Sequence, residues 1–210
     1  MKLFYAITSP YVRKVMVSAH ELRLVDRIEL VPMPPRQPSD PLISVSHNPL
    51  AKIPTLVTDE GDAIYDSVVI CEYLDMIAAP GKRLFPKGDK RIPSLVLHAL
   101  AHGMIDAAMA VRADDVVRPA EFRWEEGKSY QMEKVRRSVA AIESSVARFD
   151  DAFCIGKIAT ACALGYLDFR FVSYRTGSRR SLPPQFCRHA PFRLRPGPVA
   201  NLWVIKECGV

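Results

Sequence analysis

The stretch from residue 48 to residue 75, NPLAKIPTLVTDEGDAIYDSVVICEYLD, limits the possible folds more than any other part of the chain. It opens on the turn signal Asn48-Pro49, passes through Lys52-Ile53-Pro54 and enters the short apolar run Thr55-Leu56-Val57. Asp59-Glu60-Gly61-Asp62 has the composition of a hairpin turn, which makes Ala63-Ile64-Tyr65 the returning strand. Asp66-Ser67 then start a helix, because Val68, Ile70, Cys71, Leu74 and Ile77 recur near the 3.6-residue period. A proline directly before a strand belongs at its first position, since it has no N–H for the ladder. X–Pro is also the only peptide bond at which cis is cheap. A cis Ile53–Pro54 bond would turn the Ile53 backbone outward, its N–H and C=O free for an extended peptide. At the helix start, unpaired N–H groups and the dipole favour a carboxylate, and Asp66 can hold an ammonium beside it. The stretch suits a ligand with a peptide backbone and an amino-acid head. Taken alone, Asp66 and Ser67 also look like an ordinary helix cap.

The N-terminus has a related form. Residues 2–7 read as a strand buried on both faces. Ser9 is an N-cap candidate, Pro10 suits the first helical position, and the helix continues to Leu22. A strand running straight into a helix start puts the Ser9 hydroxyl in positive potential, the kind of site that stabilises a thiolate. Residues 28–31 suggest a second strand, and residues 32–49 a proline-rich loop. Residues 78–93 form a linker by their Pro and Gly content. Beyond it the period is purely helical, with Leu97, Ala101, Met104, Ile105, Ala108 and Arg112 on one face. Val135, Val139, Ile142, Val146 and Phe149 define another helix, and Ile155, Ile158, Cys162, Tyr166 and Phe169 a third.

Lys52-Ile53-Pro54, Asp66-Ser67, the helix VVICEYLD and the turn TSPYVRKV together resemble the glutathione transferases, in particular a bacterial group with SPxVRK at the first strand–helix turn. The resemblance continues through HALAHGMIDAAMAVR, RPAE and IGKIATACALGYLDFR and covers residues 1–171. It implies an α/β thioredoxin-like N-terminal domain that binds glutathione (1–79), then an all-α helical domain (91–171). By the same resemblance Ser9 donates a hydrogen bond to the glutathione sulfur and keeps it as thiolate. Ile53, next to the cis Pro54 and Lys52, pairs with the cysteinyl backbone, and Asp66-Ser67 hold the γ-glutamyl head. Relatives with cysteine at this turn carry out disulfide chemistry, so Ser9 argues against that; Thr8 is the second-choice hydroxyl. The family often contacts the glycyl end from the 32–49 region, where Arg36 and His47 are candidates, although a surface-loop role suits both. Met104, Ala108 and Arg112 are candidates for the second-substrate pocket, with packing in the core or at a dimer face as the alternative.

The implied activity is attack of the glutathione thiolate on a small hydrophobic electrophile, or use of glutathione in isomerisation or reduction, by a homodimer. The rival readings are a non-catalytic binding protein on the same fold and an inactive product of a damaged gene.

Composition narrows the partners. The formal net charge of +6 arises wholly in residues 172–210, where seven basic side chains face the single Glu207. The body of the protein therefore has no basic excess to attract phosphate, and no nucleic-acid partner is expected. Five cysteines without metal-ligand spacing, and an N-terminal apolar run too short for a signal sequence, lead to the expectation of a cytoplasmic protein with reduced thiols. No membrane partner is expected, because no stretch reads as long enough to span a bilayer. His98 and His102 lie four apart, a spacing that can suit a metal, but no third ligand accompanies them and no metal is expected.

Two features depart from the family pattern. The helix at Ile155 should open with a Ser or Thr cap and an Asp three residues on, where this chain has Cys154 and Lys157. The missing cap costs on the order of 1 kcal/mol, and a lysine in the first turn costs roughly 0.3–1 kcal/mol. After Phe171 the helical period stops and an atypical Arg/Pro-rich tail, 172–210, replaces the expected closing helix. So abrupt a change points to a shifted reading frame near codon 172. The competing explanations are a basic tail for nucleic acid or acidic lipid, and a distinct functional extension.

Overall fold

The computed structural model describes residues 1–33, 47–145 and 153–171, with the backbone of residues 195–196 and 203–204. The expectations for Arg36, Val146, Phe149 and the tail lie outside the described residues, apart from those two short tail segments. The chain forms two compact units: Met1–Pro86 with Arg195–Val204, and Lys87–Leu194 with Ile205–Val210. Two two-residue strands, Arg195–Pro196 and Trp203–Val204, pair antiparallel.

The first unit is built on a four-stranded sheet. Its strands are β1 (Lys2–Tyr5), β2 (Glu29–Pro32), β3 (Thr55–Val57) and β4 (Ala63–Ile64), in the order β2-β1-β3-β4. β1 and β2 are parallel; β1–β3 and β3–β4 are antiparallel. β1 ends two residues earlier than the sequence suggests, and Ile7 is exposed. The predicted hairpin turn is present. Thr58 N–H donates to Asp62 C=O at 2.9 Å, and Gly61 takes a φ of 96°, which glycine adopts without a steric cost.

Helices α1 (Pro10–Glu21) and α2 (Ser67–Ile77) pack together. α1 buries Val12, Val15 and Ala19, and α2 buries Ile70, Cys71 and Leu74. Spacing of three and four residues puts each set on one face.

Residues 80–86 pack with this unit, although their Pro and Gly content reads as linker. The cause is Asp75, a buried carboxylate near the end of α2. Its Oδ1 accepts from the backbone N–H of Leu84 and, at 3.3 Å, of Phe85. Arg83 donates to the Asp75 carbonyl at 3.0 Å. Leu84 and Phe85 are thereby held in the core, each 4% exposed.

The second unit contains α3 (Arg91–Val116), α4 (Glu125–Ser145) and α5 (Ile155–Arg170). α3 is its centre and packs against both others. By length and composition the segment 88–116 is apolar enough to cross a membrane, contrary to the reading from sequence. Half of its most apolar window is buried against the rest of this unit, which marks a core helix. α5 approaches α3 at Gly156, where an added Cβ would lie 2.6 Å from the Ser94 carbonyl oxygen. Lys128 joins α3 to α4, 2.7 Å from Asp115 and 2.6 Å from Glu125. Cys154 occupies the N-cap of α5 and makes no side-chain capping bond, as the missing Ser or Thr predicts.

Asp75→Ala leaves two buried N–H groups without their acceptor. It is expected to lower stability on the order of 1–3 kcal/mol, measured by urea unfolding of the full chain.

Candidate functional site

Strand register decides where the candidate residues meet. Phe4 pairs with Thr55, so the C-terminal end of β1 lies beside the N-terminal end of β3. Leu56 pairs with Ile64, so β4 runs back towards that same end. Ser9 follows β1, Ile53-Pro54 precede β3, and Asp66-Ser67 follow β4. All five residues therefore stand at one end of the sheet. The N-termini of α1 and α2 also begin there, and each helix start carries partial positive charge.

Ser9 caps α1 in extended backbone (φ −76°, ψ 121°), and its Oγ accepts from Val12 N–H at 3.3 Å. That bond uses a lone pair and leaves the hydroxyl proton free, with no acceptor among the described residues. Capping and donation to a ligand are thus compatible roles. Thr8, one residue earlier, holds neither cap nor helix position.

The Ile53–Pro54 bond is cis. Neither the N–H nor the C=O of Ile53 is hydrogen-bonded among the described residues. The preceding turn is braced by Asn48, only 1% exposed. Its Nδ2 donates to the Lys52 carbonyl and to Thr55 Oγ1, both at 3.0 Å, and its Oδ1 accepts from Leu50 N–H at 2.9 Å. Thr55 Oγ1 in turn donates to the Lys52 carbonyl at 2.9 Å. These bonds fix the backbone on both sides of Ile53, while the Lys52 side chain is exposed. Asn48 was legible in sequence only as a turn former; its part as a brace depends on the distant fold around it.

Asp66 is exposed and caps α2, its Oδ1 accepting from Val68 N–H at 2.9 Å. Ser67 is fully buried, and its hydroxyl has no hydrogen-bond partner among the described residues. At this helix start the Asp66 carboxylate has the charge to hold an ammonium, and the α2 N–H groups and the Ser67 hydroxyl have the donors for a carboxylate.

Lys14 is buried on α1. Burial pushes the Cys71 thiol up from its ordinary range, and the Lys14 charge opposes that rise. Ser18 Oγ lies 3.5 Å from Cys71 Sγ, so the thiol belongs to the α1–α2 packing.

A cavity of about 590 Å³ in the first unit is lined by Met1, Phe4, Arg27, His47, Asp59 and neighbours. None of Ser9, Ile53, Asp66 or Ser67 lines it, so it does not mark this site. His47 stacks at a tilt on Phe4, ring centroids 5.3 Å apart.

In the second unit Met104 and Ala108 are core residues, 1% and 0% exposed, whereas Arg112 is half-buried. His98 and His102 stand edge-to-face at 6.4 Å, and His102 Nε2 lies 3.8 Å from Asp106. Among the described residues no three metal-ligating side chains cluster.

Residues 8–77 match the family described as glutathione S-transferase, N-terminal domain. The chain is 32% identical over 176 residues to the uncharacterized GST-like protein YibF of Escherichia coli (strain K12), covering 82% of this chain and 85% of that protein. A glutathione transferase family member from Pseudomonas fluorescens Pf-5, solved with bound glutathione, is 36% identical with a TM-score of 0.82. The match covers 97% of this chain and 99% of that one. A Pf-5 family member solved with bound S-(propanoic acid)-glutathione is 42% identical over 82% of this chain and 85% of its own, with a TM-score of 0.74. With the sheet, helices and site geometry above, these likenesses show that the chain belongs to the glutathione transferase family.

Asn48→Ala removes two hydrogen bonds to the Lys52–Thr55 turn and a third from Leu50 N–H. A loss on the order of 1–3 kcal/mol is expected, with the thermal unfolding midpoint as the check.

Proposed function

We propose that this protein is a glutathione transferase in which Ser9 stabilises the glutathione thiolate for attack on a small electrophile. The observation that carries the reading is the meeting of Ser9, Ile53 and Asp66-Ser67 at two helix N-termini. Solved relatives that hold glutathione support the choice of ligand. In this reading Ile53 pairs its free N–H and C=O with the cysteinyl backbone, and the Lys52 side chain stands beside that strand-like contact. The Asp66 carboxylate holds the γ-glutamyl ammonium, while Ser67 and the α2 N-terminus hold the γ-glutamyl carboxylate.

The free Ser9 hydroxyl proton then donates to sulfur. A hydrogen bond to the charged form, in the field of a helix start, lowers the thiol pKa. The thiolate forms the sulfur–carbon bond, and the electrophile's leaving group departs with the displaced electron pair. For an activated double bond, the displaced pair instead takes a proton from water. The S-(propanoic acid)-glutathione held by one relative supports carbon electrophiles as the class attacked.

The rest of the reading concerns assembly and substrate shape. Val69 and Met76 on α2, and Ile92 and Val96 on α3, are exposed apolar side chains that a second copy in a homodimer would cover. Cys71, Cys154 and Cys162 are buried and form no disulfide among the described residues, and the reading places the protein in the cytoplasm. The reading keeps 1–79 as the glutathione-binding domain, with residues 80–86 packed onto its unit, and 91–171 as the helical domain. Arg112 is the second-substrate candidate kept here, since Met104 and Ala108 are core residues.

Ser9→Ala separates an enzyme from a binding protein on this fold. Glutathione affinity should stay within a few-fold, and kcat/KM with 1-chloro-2,4-dinitrobenzene should fall about 100-fold. The acid limb of the pH–kcat/KM profile should move to higher pH, because the thiolate loses a donor that stabilised it. Unchanged turnover and profile would remove Ser9 from the chemistry.

A further inference from the structure

The second unit holds a group of side chains that the glutathione site does not use. Tyr166 and Arg170 lie one turn apart on α5, and Met109 and Arg112 lie one turn apart on α3. The two helices meet here, with Tyr166 Oη 2.9 Å from Met109 Sδ. The Arg170 guanidinium carbon lies 4.0 Å from the centroid of the Phe169 ring, a cation–π contact that fixes its plane. Arg170 Nε is shut off from solvent and has no hydrogen-bond partner among the described residues.

Neither arginine has an ion pair with a described carboxylate. Both guanidinium charges act on the buried Tyr166 phenol, to which Arg170 is hydrogen-bonded, and among the described residues no anion accompanies them. The electrostatics agree with the geometry. Burial, and then the Arg112 charge, hold Arg170 below the usual guanidinium range. Burial pushes the Tyr166 hydroxyl up, opposed by both arginines. A position in the last turn of α5 suits a lone Arg170 through the helix dipole. It accounts neither for the second arginine brought up against it nor for the unpartnered Nε.

We propose that Arg112, Arg170 and Tyr166 form a binding site for the carboxylate of an organic acid with an apolar body. Paired guanidinium forks suit a planar carboxylate, and charge-assisted hydrogen bonds are the stronger kind. Met109 and the ring of Phe169 offer the apolar surface beside the charge. The site lies wholly within the helical unit, so the inference stands whether or not glutathione is the co-substrate.

The test is calorimetric titration of the full chain, without glutathione, with 3,5-dinitrobenzoate and its neutral counterpart 1,3-dinitrobenzene. The acid is expected to bind at least about tenfold more tightly, and Arg112→Gln or Arg170→Gln each to remove about tenfold of that affinity. Without ligand, Arg112→Gln should leave the thermal midpoint unchanged or raise it, because it relieves like-charge repulsion. The acid-induced rise in midpoint should disappear. A purely structural arginine pair would give the reverse pattern and overturn the proposal. Equal binding of acid and neutral compound by the wild-type chain would overturn it even if the variants failed to fold. So would inorganic phosphate displacing the acid at equal concentration. A second arm uses glutathione with 4-chloro-3,5-dinitrobenzoate. Turnover lost in the Gln variants would place such acids among the substrates, and binding without turnover would assign the site to an unreactive acid. Both results uphold the carboxylate site.

Discussion

The site depends on two helices starting at the same end of one small sheet. β1 feeds α1 and β4 feeds α2, and antiparallel pairing through β3 returns both exits to one place. Each helix start brings N–H groups that no backbone carbonyl satisfies. Two such ends together are unfavourable until something negative occupies them. Asp66 supplies part of that charge and Ser9 a hydroxyl oxygen, and both are held by their own caps. The capping bonds that form the helices also orient the Ser9 and Asp66 side chains, so in the proposed function a single set of side chains serves fold and chemistry together.

The third element, Ile53, is held differently. Its backbone N–H and C=O are unpaired among the described residues, as the proposed pairing with an extended ligand requires, and unpaired backbone is costly unless the flanks are rigid. Asn48 supplies that rigidity by binding both sides of the Lys52–Thr55 turn from a buried position. Asp75 does comparable work at the far end of α2, holding Leu84 and Phe85 in the core. In both places a short polar side chain is buried because it replaces several water contacts with fixed backbone ones.

Much of this was legible in the sequence, and the reason is locality. Ser9-Pro10, Asp66-Ser67 and Gly61 act within a few residues of themselves, so caps and turns show in the chain directly. The spacing of Ile155, Ile158, Cys162 and Tyr166 exposed the inner face of α5 for the same reason. What the sequence hid depends on partners far along the chain. Asn48 looked like a turn former, and Asp75 was one more residue of the helix VVICEYLD. Met104 and Ala108 shared a face with Arg112, and periodicity alone could not tell a core position from a pocket lining. The pairing of Arg112 with Arg170 was equally hidden, since 58 positions separate them and only the α3–α5 packing joins them.

The central claim is that the end of the sheet between α1 and α2 is a glutathione site. Titration of the full chain with glutathione by calorimetry tests it most directly. The account predicts saturable binding at one site per chain, weakened when the γ-glutamyl ammonium is removed from the ligand. No heat of binding from a chain that circular dichroism shows to be folded would contradict it.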